Sequence, residues 1–102
     1  MWLYAPIFGV AALLTAGAFV PAAAQNADPQ LLSLSCAGCH GPQGRSPATI
    51  PSIYGRSAES LAETLRAFRD GQRQATVMNR IAKGYTDAEI DALAREIAAN
   101  WK

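Results

Sequence analysis

Cys36, Cys39 and His40 are the residues with the most chemistry to offer. They form the run CAGCH, which holds both cysteines and the only histidine of the 102-residue chain. Two thiols three residues apart, with an imidazole beside the second, can serve a redox dithiol, a metal centre or a covalently attached macrocycle. A thioredoxin-like dithiol requires a βαβ setting, and no period-2 stretch here is long enough to make a strand. A structural zinc site requires four ligands. Cys36, Cys39 and His40 are three, and the chain has no other Cys or His.

Covalent haem accounts for more of the chain. C-x-x-C-H is the attachment pattern of c-type haem. Cysteines three apart lie on one side of a helical turn and reach the two vinyl groups on one porphyrin edge. The adjacent histidine then aims its imidazole at the iron from one face. A second histidine ligand is impossible here, and methionine is the usual alternative in electron-transfer haem proteins. The methionines are Met1 and Met78. Met1 belongs to a leading segment expected to be removed, which leaves Met78 for the other iron face. Its competing role is core packing beside Val77 and Ile81. A ligating histidine normally donates its second ring N–H to a carbonyl or carboxylate. The following loop offers the carbonyls of Pro42, Pro47 and Pro51, whose rings fix the backbone. Thioether ligation and an apolar setting both favour ferrous iron and raise the reduction potential.

The elements that must position these groups can be read along the chain. The first 24 residues carry no Asp, Glu, Lys or Arg, and every charged side chain follows Ala24. The apolar run PIFGVAALLTAGAFV, then small residues at Ala22 and Ala24, predicts a signal peptide over 1–24 and an exported, periplasmic domain over 25–102. The leader lacks the usual Lys or Arg. The alternative is an uncleaved anchor, since about 20 apolar residues span a bilayer; Pro6, Gly9, Gly17 and Pro21 make a poor permanent span.

Asp28 and Pro29 start a first helix. Leu31, Leu34 and Leu32 form its apolar side, and Gly38 and Gly41 end it around the cysteines. GPQGRSPATIPSIYG, with three prolines and three glycines, is a loop, and loops of that length are usually functional. SAESLAETLRAFRDG is a second helix. Ser57 or Ser60 caps it, Ser60 with Glu63 fits a capping box, and Gly71 ends it. Leu61, Leu65 and Phe68 form its apolar face. A connector carries Met78, with a short helical turn near 79–83. Thr86 and Glu89 open the last helix with a capping box, and Ile90, Leu93, Ala94, Ile97 and Trp101 share one face. A domain of this length buries only about 60% of its unfolded surface, and its large apolar residues are too few for a dense core. A large apolar ligand would complete it.

With CAGCHG at 36–41, PSIYG at 51–55 and a Met ahead of a capped terminal helix, the chain resembles a class I cytochrome c. The resemblance implies a small all-α fold of three to five helices around one covalently bound haem c. It implies that Pro51 offers its carbonyl to His40, with Ile53 in the apolar position. It implies cofactor-binding residues Cys36, Cys39, His40, Met78 and Pro51, with His40 and Met78 as the metal ligands. The terminal helix is expected to cross the first, bringing Leu93, Ile97 and Trp101 against Leu31 and Leu34.

FRDGQRQATVMNRIAKGYTDAEIDALA, residues 68–94, is similar to the haem domains of flavocytochrome c sulfide dehydrogenase. So is the loop CAGCHGPQGRSPATIPSIYG. That resemblance implies single-electron transfer from an FAD-containing flavoprotein subunit to a downstream acceptor such as another cytochrome. FAD would sit only in the partner, and this chain would catalyse nothing alone. Some members of that family have two haem domains, whereas this chain has one CxxCH. A free diffusible carrier between respiratory or photosynthetic complexes is the alternative. A haem enzyme or gas sensor with an open iron position is a third reading, against which Met78 stands. No nucleic-acid partner is expected, and no stable membrane span in the mature form.

From Arg66 to Lys83 five basic residues face Asp70 alone, and from Asp87 to Glu96 four acids face Arg95. The first run is either an ordinary solvated face or a basic patch near Met78 that orients a partner. Tyr54 and Tyr85 suit the haem pocket, a partner contact or the core.

Overall fold

The structure, a computed structural model, describes residues 27–102, with Gly9 and residues 16–18 ahead of them. Apart from those positions, the expected leader and its cleavage point at Ala24 lie outside the described residues. Four helices follow in order: α1 (Pro29–His40), α2 (Ala58–Arg69), α3 (Met78–Ala82) and α4 (Asp87–Asn100), with a 3-10 turn at Pro42–Gly44. No strand occurs among the described residues, in keeping with the all-α expectation. Among them, too, no helix is long and apolar enough to cross a membrane.

The start of α1 is set by Asp28, whose carboxylate accepts the Gln30 N–H at 2.9 Å, and by Pro29 at the first position. Its end falls around the cysteines as expected: the helix runs through Cys36 and Cys39 to His40, with Gly41 as the C-cap. Gly38 weakens a helix by only about 1 kcal/mol relative to Ala, so it does not break this one. Gly41 does, at φ 87°, and a Cβ there would collide with the Arg45 carbonyl. The chain therefore folds back sharply just after His40.

In α2 the cap is Ser57, whose hydroxyl accepts the Ser60 N–H at 3.1 Å. Ser60 thus lies inside the first turn, and the expected Ser60–Glu63 box does not form. The box opening α4 does form: Thr86 Oγ1 accepts the Glu89 N–H at 3.2 Å, and the Glu89 carboxylate accepts the Thr86 N–H at 3.0 Å.

α4 packs against both α1 and α2, and α3 packs on α2. Leu61, Ala62, Ile90, Leu93, Ala94, Ile97 and Trp101 form the buried cluster. The face expected of α4 is the one that is buried. Of the side expected of α1, only Leu32 packs on the core, together with Cys36 and Ala37, and Ser33 is buried; Leu31 and Leu34 are 66% and 61% exposed. Ser33 can be buried because its hydroxyl donates to the Gln30 carbonyl at 2.7 Å. Small side chains at 33 and 37 also let α1 lie close to α4.

The loop from 41 to 55 is tied to the chain end. Gly55 N–H donates to the Trp101 carbonyl at 2.9 Å, and Ile53 N–H to the Gly44 carbonyl at 2.9 Å. Arg45 donates to the Lys102 carbonyl at 2.7 Å and stacks over the Tyr54 ring at 4.1 Å.

Candidate haem-binding site

Two cavities of about 370 and 310 Å³ share Cys39, His40, Thr64, Phe68, Met78 and Ile81 as lining residues, so they are halves of one cleft. Each half lies within the range of small-molecule sites, roughly 300–1,000 Å³. α1 supplies Ser35, Cys36, Cys39 and His40, and α2 supplies Leu61, Thr64, Leu65 and Phe68. α3 supplies Met78 and Ile81, and α4 supplies Leu93 and Ile97. Pro51 lines the larger half. All five residues singled out in the sequence therefore border a single cleft.

His40 Nδ1 lies 2.6 Å from the Pro51 carbonyl oxygen. A carbonyl only accepts, so the contact puts a proton on Nδ1, and the neutral ring then carries its lone pair on Nε2. Among the three candidate prolines, Pro51 is the one that meets the ring. The loop holds it through the Ile53–Gly44 bond, and through the Ser46 N–H donated to Ser52 Oγ at 2.9 Å.

No disulfide joins Cys36 and Cys39. Cys36 is half-buried, and its burial pushes the thiol pKa up, with the Ser35 hydrogen bond pulling the other way. Cys39 is exposed at the mouth. Ile50, Val77 and Ile81 line the cleft yet remain exposed. A planar apolar group would cover them. Two thiols, an imidazole lone pair and a thioether around an apolar slot are the donor set that covalent haem requires. The zinc alternative finds no support, since among the described residues no three His, Cys, Asp or Glu side chains converge as a metal cage.

Sequence reasoning missed Thr64, Ile50 and Arg56 as cleft residues. Thr64 completes the i, i+3, i+4 spacing with Leu61 and Leu65, so helical periodicity held the signal and its polarity hid it. Tyr85 lines the cleft, with its hydroxyl 3.4 Å from Ser35 Oγ. Tyr54 is exposed and lines neither half.

The basic run reads differently in three dimensions. Arg66 pairs with Asp87 at 3.0 Å and Asp91 at 2.8 Å, and Arg69 pairs with Asp70 and Asp87, both at 2.9 Å. Hydrogen bonds from Arg66 and then Arg69 hold the Asp87 carboxyl below its ordinary pKa. Arg66 and Arg69, two of the five cations of the basic run, are thus paired across the α2–α4 contact with Asp87 and Asp91. The cations of the patch outside this network are Arg73, Arg80 and Lys83.

Residues 27–97 match the family described as Cytochrome c. The chain is 55% identical over 65 residues to the cytochrome subunit of sulfide dehydrogenase of Chlorobaculum tepidum, covering 64% of this chain but 59% of that protein. It is 34% identical over 93 residues to cytochrome c-553 of Nitratidesulfovibrio vulgaris, covering 86% of this chain and 91% of that one. It is 36% identical over 96 residues to the thiosulfate dehydrogenase electron acceptor of Thiomonas intermedia, covering 89% of this chain and 43% of that protein. The chain thus spans less than two thirds of the length of its sulfide and thiosulfate dehydrogenase relatives. With four helices around a cleft that carries the CAGCH run, and a family match across nearly the whole described domain, this chain belongs to the cytochrome c family in its small all-α, class I form.

Proposed function

We propose that this chain is the one-haem electron-transfer subunit of a periplasmic complex whose FAD-containing partner oxidises sulfide. Family membership implies covalently bound haem c, and such a group supplies an iron that takes up and releases one electron at a time. Cys36 and Cys39 fix one edge of it. His40, with its ring oriented by Pro51, and Met78 would supply the nitrogen and the sulfur that hold its iron. The observation that carries this reading is the 2.6 Å contact between His40 Nδ1 and the Pro51 carbonyl in a cleft that also holds Met78. The apolar walls exclude water and favour the less charged ferrous state.

The likeness to the sulfide dehydrogenase subunit supports the FAD partner, and the charge-free leader over 1–24 supports export. A reduced flavin holds two electrons, so a one-haem subunit would take them in two single-electron steps and pass each on to a downstream acceptor. The near-full-length likeness to a cytochrome c-553 favours a second reading, a carrier that diffuses alone.

Two measurements test this. Met78→Ala removes the ferric sulfur-to-iron charge-transfer band, opens the ferrous iron to carbon monoxide and lowers the reduction potential; an unchanged spectrum refutes the ligand. Size exclusion of a native extract places the haem with FAD in one peak if the chain is a subunit. A haem peak at the mass of the domain alone supports the diffusible carrier.

A further inference from the structure

Several polar groups that line the cleft already have partners. The Ser35 hydroxyl donates to the Leu32 carbonyl at 2.7 Å, and the Tyr85 hydroxyl sits 3.4 Å from the Ser35 oxygen. The His40 ring N–H has the Pro51 carbonyl. Thr64 is different. It is half-buried on α2 and lines both halves of the cleft, as Met78 does. A hydroxyl inside a helix commonly donates back to the carbonyl three or four residues before it, as Ser33 does in α1. Thr64 does not. Among the described residues, the side-chain hydrogen bonds of α2 come from Arg66 and Arg69, and none involves the Thr64 hydroxyl.

A donor left over in an apolar cleft calls for an acceptor there, since a polar group shut away from water without a partner is costly. Asn79 on α3 carries a buried side-chain oxygen with no partner among the described residues, but it lines neither half. Met78 lines both, and its helix packs on α2. A thioether sulfur is a weak acceptor with two lone pairs, and a sulfur that gives one of them to a metal keeps the other. We propose that the Thr64 hydroxyl donates a hydrogen bond to Met78 Sδ. Thr64 is then a positioning residue: it selects which lone pair of the sulfur is left for the iron, and it tunes how strongly that sulfur donates. This rests on the reading of Met78 as a haem ligand. The sign of the effect separates the bond from mere polarity. A hydrogen bond draws electron density off the sulfur and disfavours ferric iron, so deleting it lowers the reduction potential. A hydroxyl that only makes the cleft more polar does the reverse, and deleting it raises the potential.

The test is redox titration of the holoprotein, comparing wild type with Thr64→Val, Thr64→Ser, Thr76→Val and Asn79→Ala. Valine matches threonine in shape and lacks the donor. Thr64→Val shifts the ferric–ferrous equilibrium about two- to tenfold toward ferric iron, the weight of one hydrogen bond; tenfold is about 59 mV for one electron. Thr64→Ser keeps the donor and the wild-type potential. Thr76 is exposed and lines only the larger half, and Thr76→Val leaves the potential in place, as does Asn79→Ala. The ferric sulfur-to-iron charge-transfer band persists in Thr64→Val, so the shift is not loss of the ligand. If the band instead disappears in Thr64→Val and is kept in Thr64→Ser, the hydroxyl is needed to hold the sulfur, which also supports the assignment. A raised or unchanged potential in Thr64→Val overturns it, and so does an equal fall in Thr64→Ser. A fall reproduced by Asn79→Ala overturns it too, by making Asn79 the acceptor. Met78→Ala reads the ligand by itself. An unchanged spectrum there refutes Met78, whereas a changed one beside an unmoved Thr64→Val refutes the hydrogen bond alone.

Discussion

Replacing Gly44 with Ala tests how the loop that carries Pro51 is built. Gly44 has φ 72°, a left-handed conformation, and a Cβ there would lie 2.8 Å from Trp101 Cε3, 3.0 Å from Ile53 Cγ1 and 3.0 Å from the Tyr54 backbone nitrogen. The Trp101 ring cannot yield easily, since that residue is buried in the core cluster. The Tyr54 nitrogen moves only with the loop itself. The left-handed backbone costs about 1–2 kcal/mol for a non-glycine residue, and the crowding adds about 1–3 kcal/mol. Gly55 is the control. It has φ 71°, but an added methyl group would meet no atom within 4 Å, so Gly55→Ala carries the backbone cost of about 1–2 kcal/mol alone.

Both variants are measured as ferric holoprotein by denaturant unfolding. Gly44→Ala should be the less stable of the two by about 1–3 kcal/mol, which for a domain this size lowers its midpoint temperature by about 4–8 °C per kcal/mol. A second readout follows from the site. Ile53 is bonded to the Gly44 carbonyl, so pushing it away also moves Pro51 off His40. An imidazole that donates less strongly to its acceptor is a weaker ligand for ferric iron, and the potential of Gly44→Ala should rise. Stabilities within about 0.5 kcal/mol of each other, the error of additive bookkeeping, would show that the loop absorbs the methyl group and that Trp101 does not brace Pro51.

Leu93→Ala, at a fully buried position on α4, should destabilise the holoprotein by about 2–5 kcal/mol, read by denaturant unfolding; a loss well below that would mean the cleft collapses onto the gap. Thr86→Ala removes the cap of α4 and should lose about 0.5–2 kcal/mol, with the potential unchanged. Asp87 has its folded pKa held below the ordinary carboxylate value of about 3.9. Its contribution to stability is therefore present above that pH and disappears as pH falls through the lowered folded pKa. Acid titration of Asp87→Asn should show a deficit against wild type at neutral pH that closes in strong acid, and a constant deficit would place the effect elsewhere.

What could be read from the sequence followed from the kind of signal each element carried. The start and the buried face of the last helix were legible because capping box and apolar spacing agree, and local agreement of that sort leaves one solution; its end falls one residue before Trp101, which caps it. The meeting of Cys36, Cys39, His40 and Met78 at one cleft was legible because the chain has so few His, Cys and Met to choose from. The inward face of α1 was not. Leu31 and Leu34 are the more apolar choice by composition, but Cys36 must border the cleft. The helical period then carries Leu32 and Ser33 inward with it and turns both leucines out. The pairing of two cations of the basic run was not legible either. The pairs of Arg66 with Asp87 and Asp91 span 21 and 25 positions along the chain, and no local pattern announces them.

The thin core and the cleft are one fact seen twice. Among the described residues, the largest fully buried side chains are Ile90 and Leu93. Leu65, Phe68, Met78 and Ile81 all border the cleft and are only partly covered by protein. Apolar side chains in that position contribute little until something excludes water from them, since burial stabilises by roughly 25 cal/mol per Å² of surface removed from solvent. A group that fills the cleft binds the folded chain and not the unfolded one, so its affinity adds to folding stability by mass action. Covalent attachment of haem through Cys36 and Cys39, as proposed, would make that coupling permanent, with the ligand never diluted away. The two thiols would then complete the domain's core as well as fix the cofactor, and so small an interior could hold His40, Pro51 and Met78 in register.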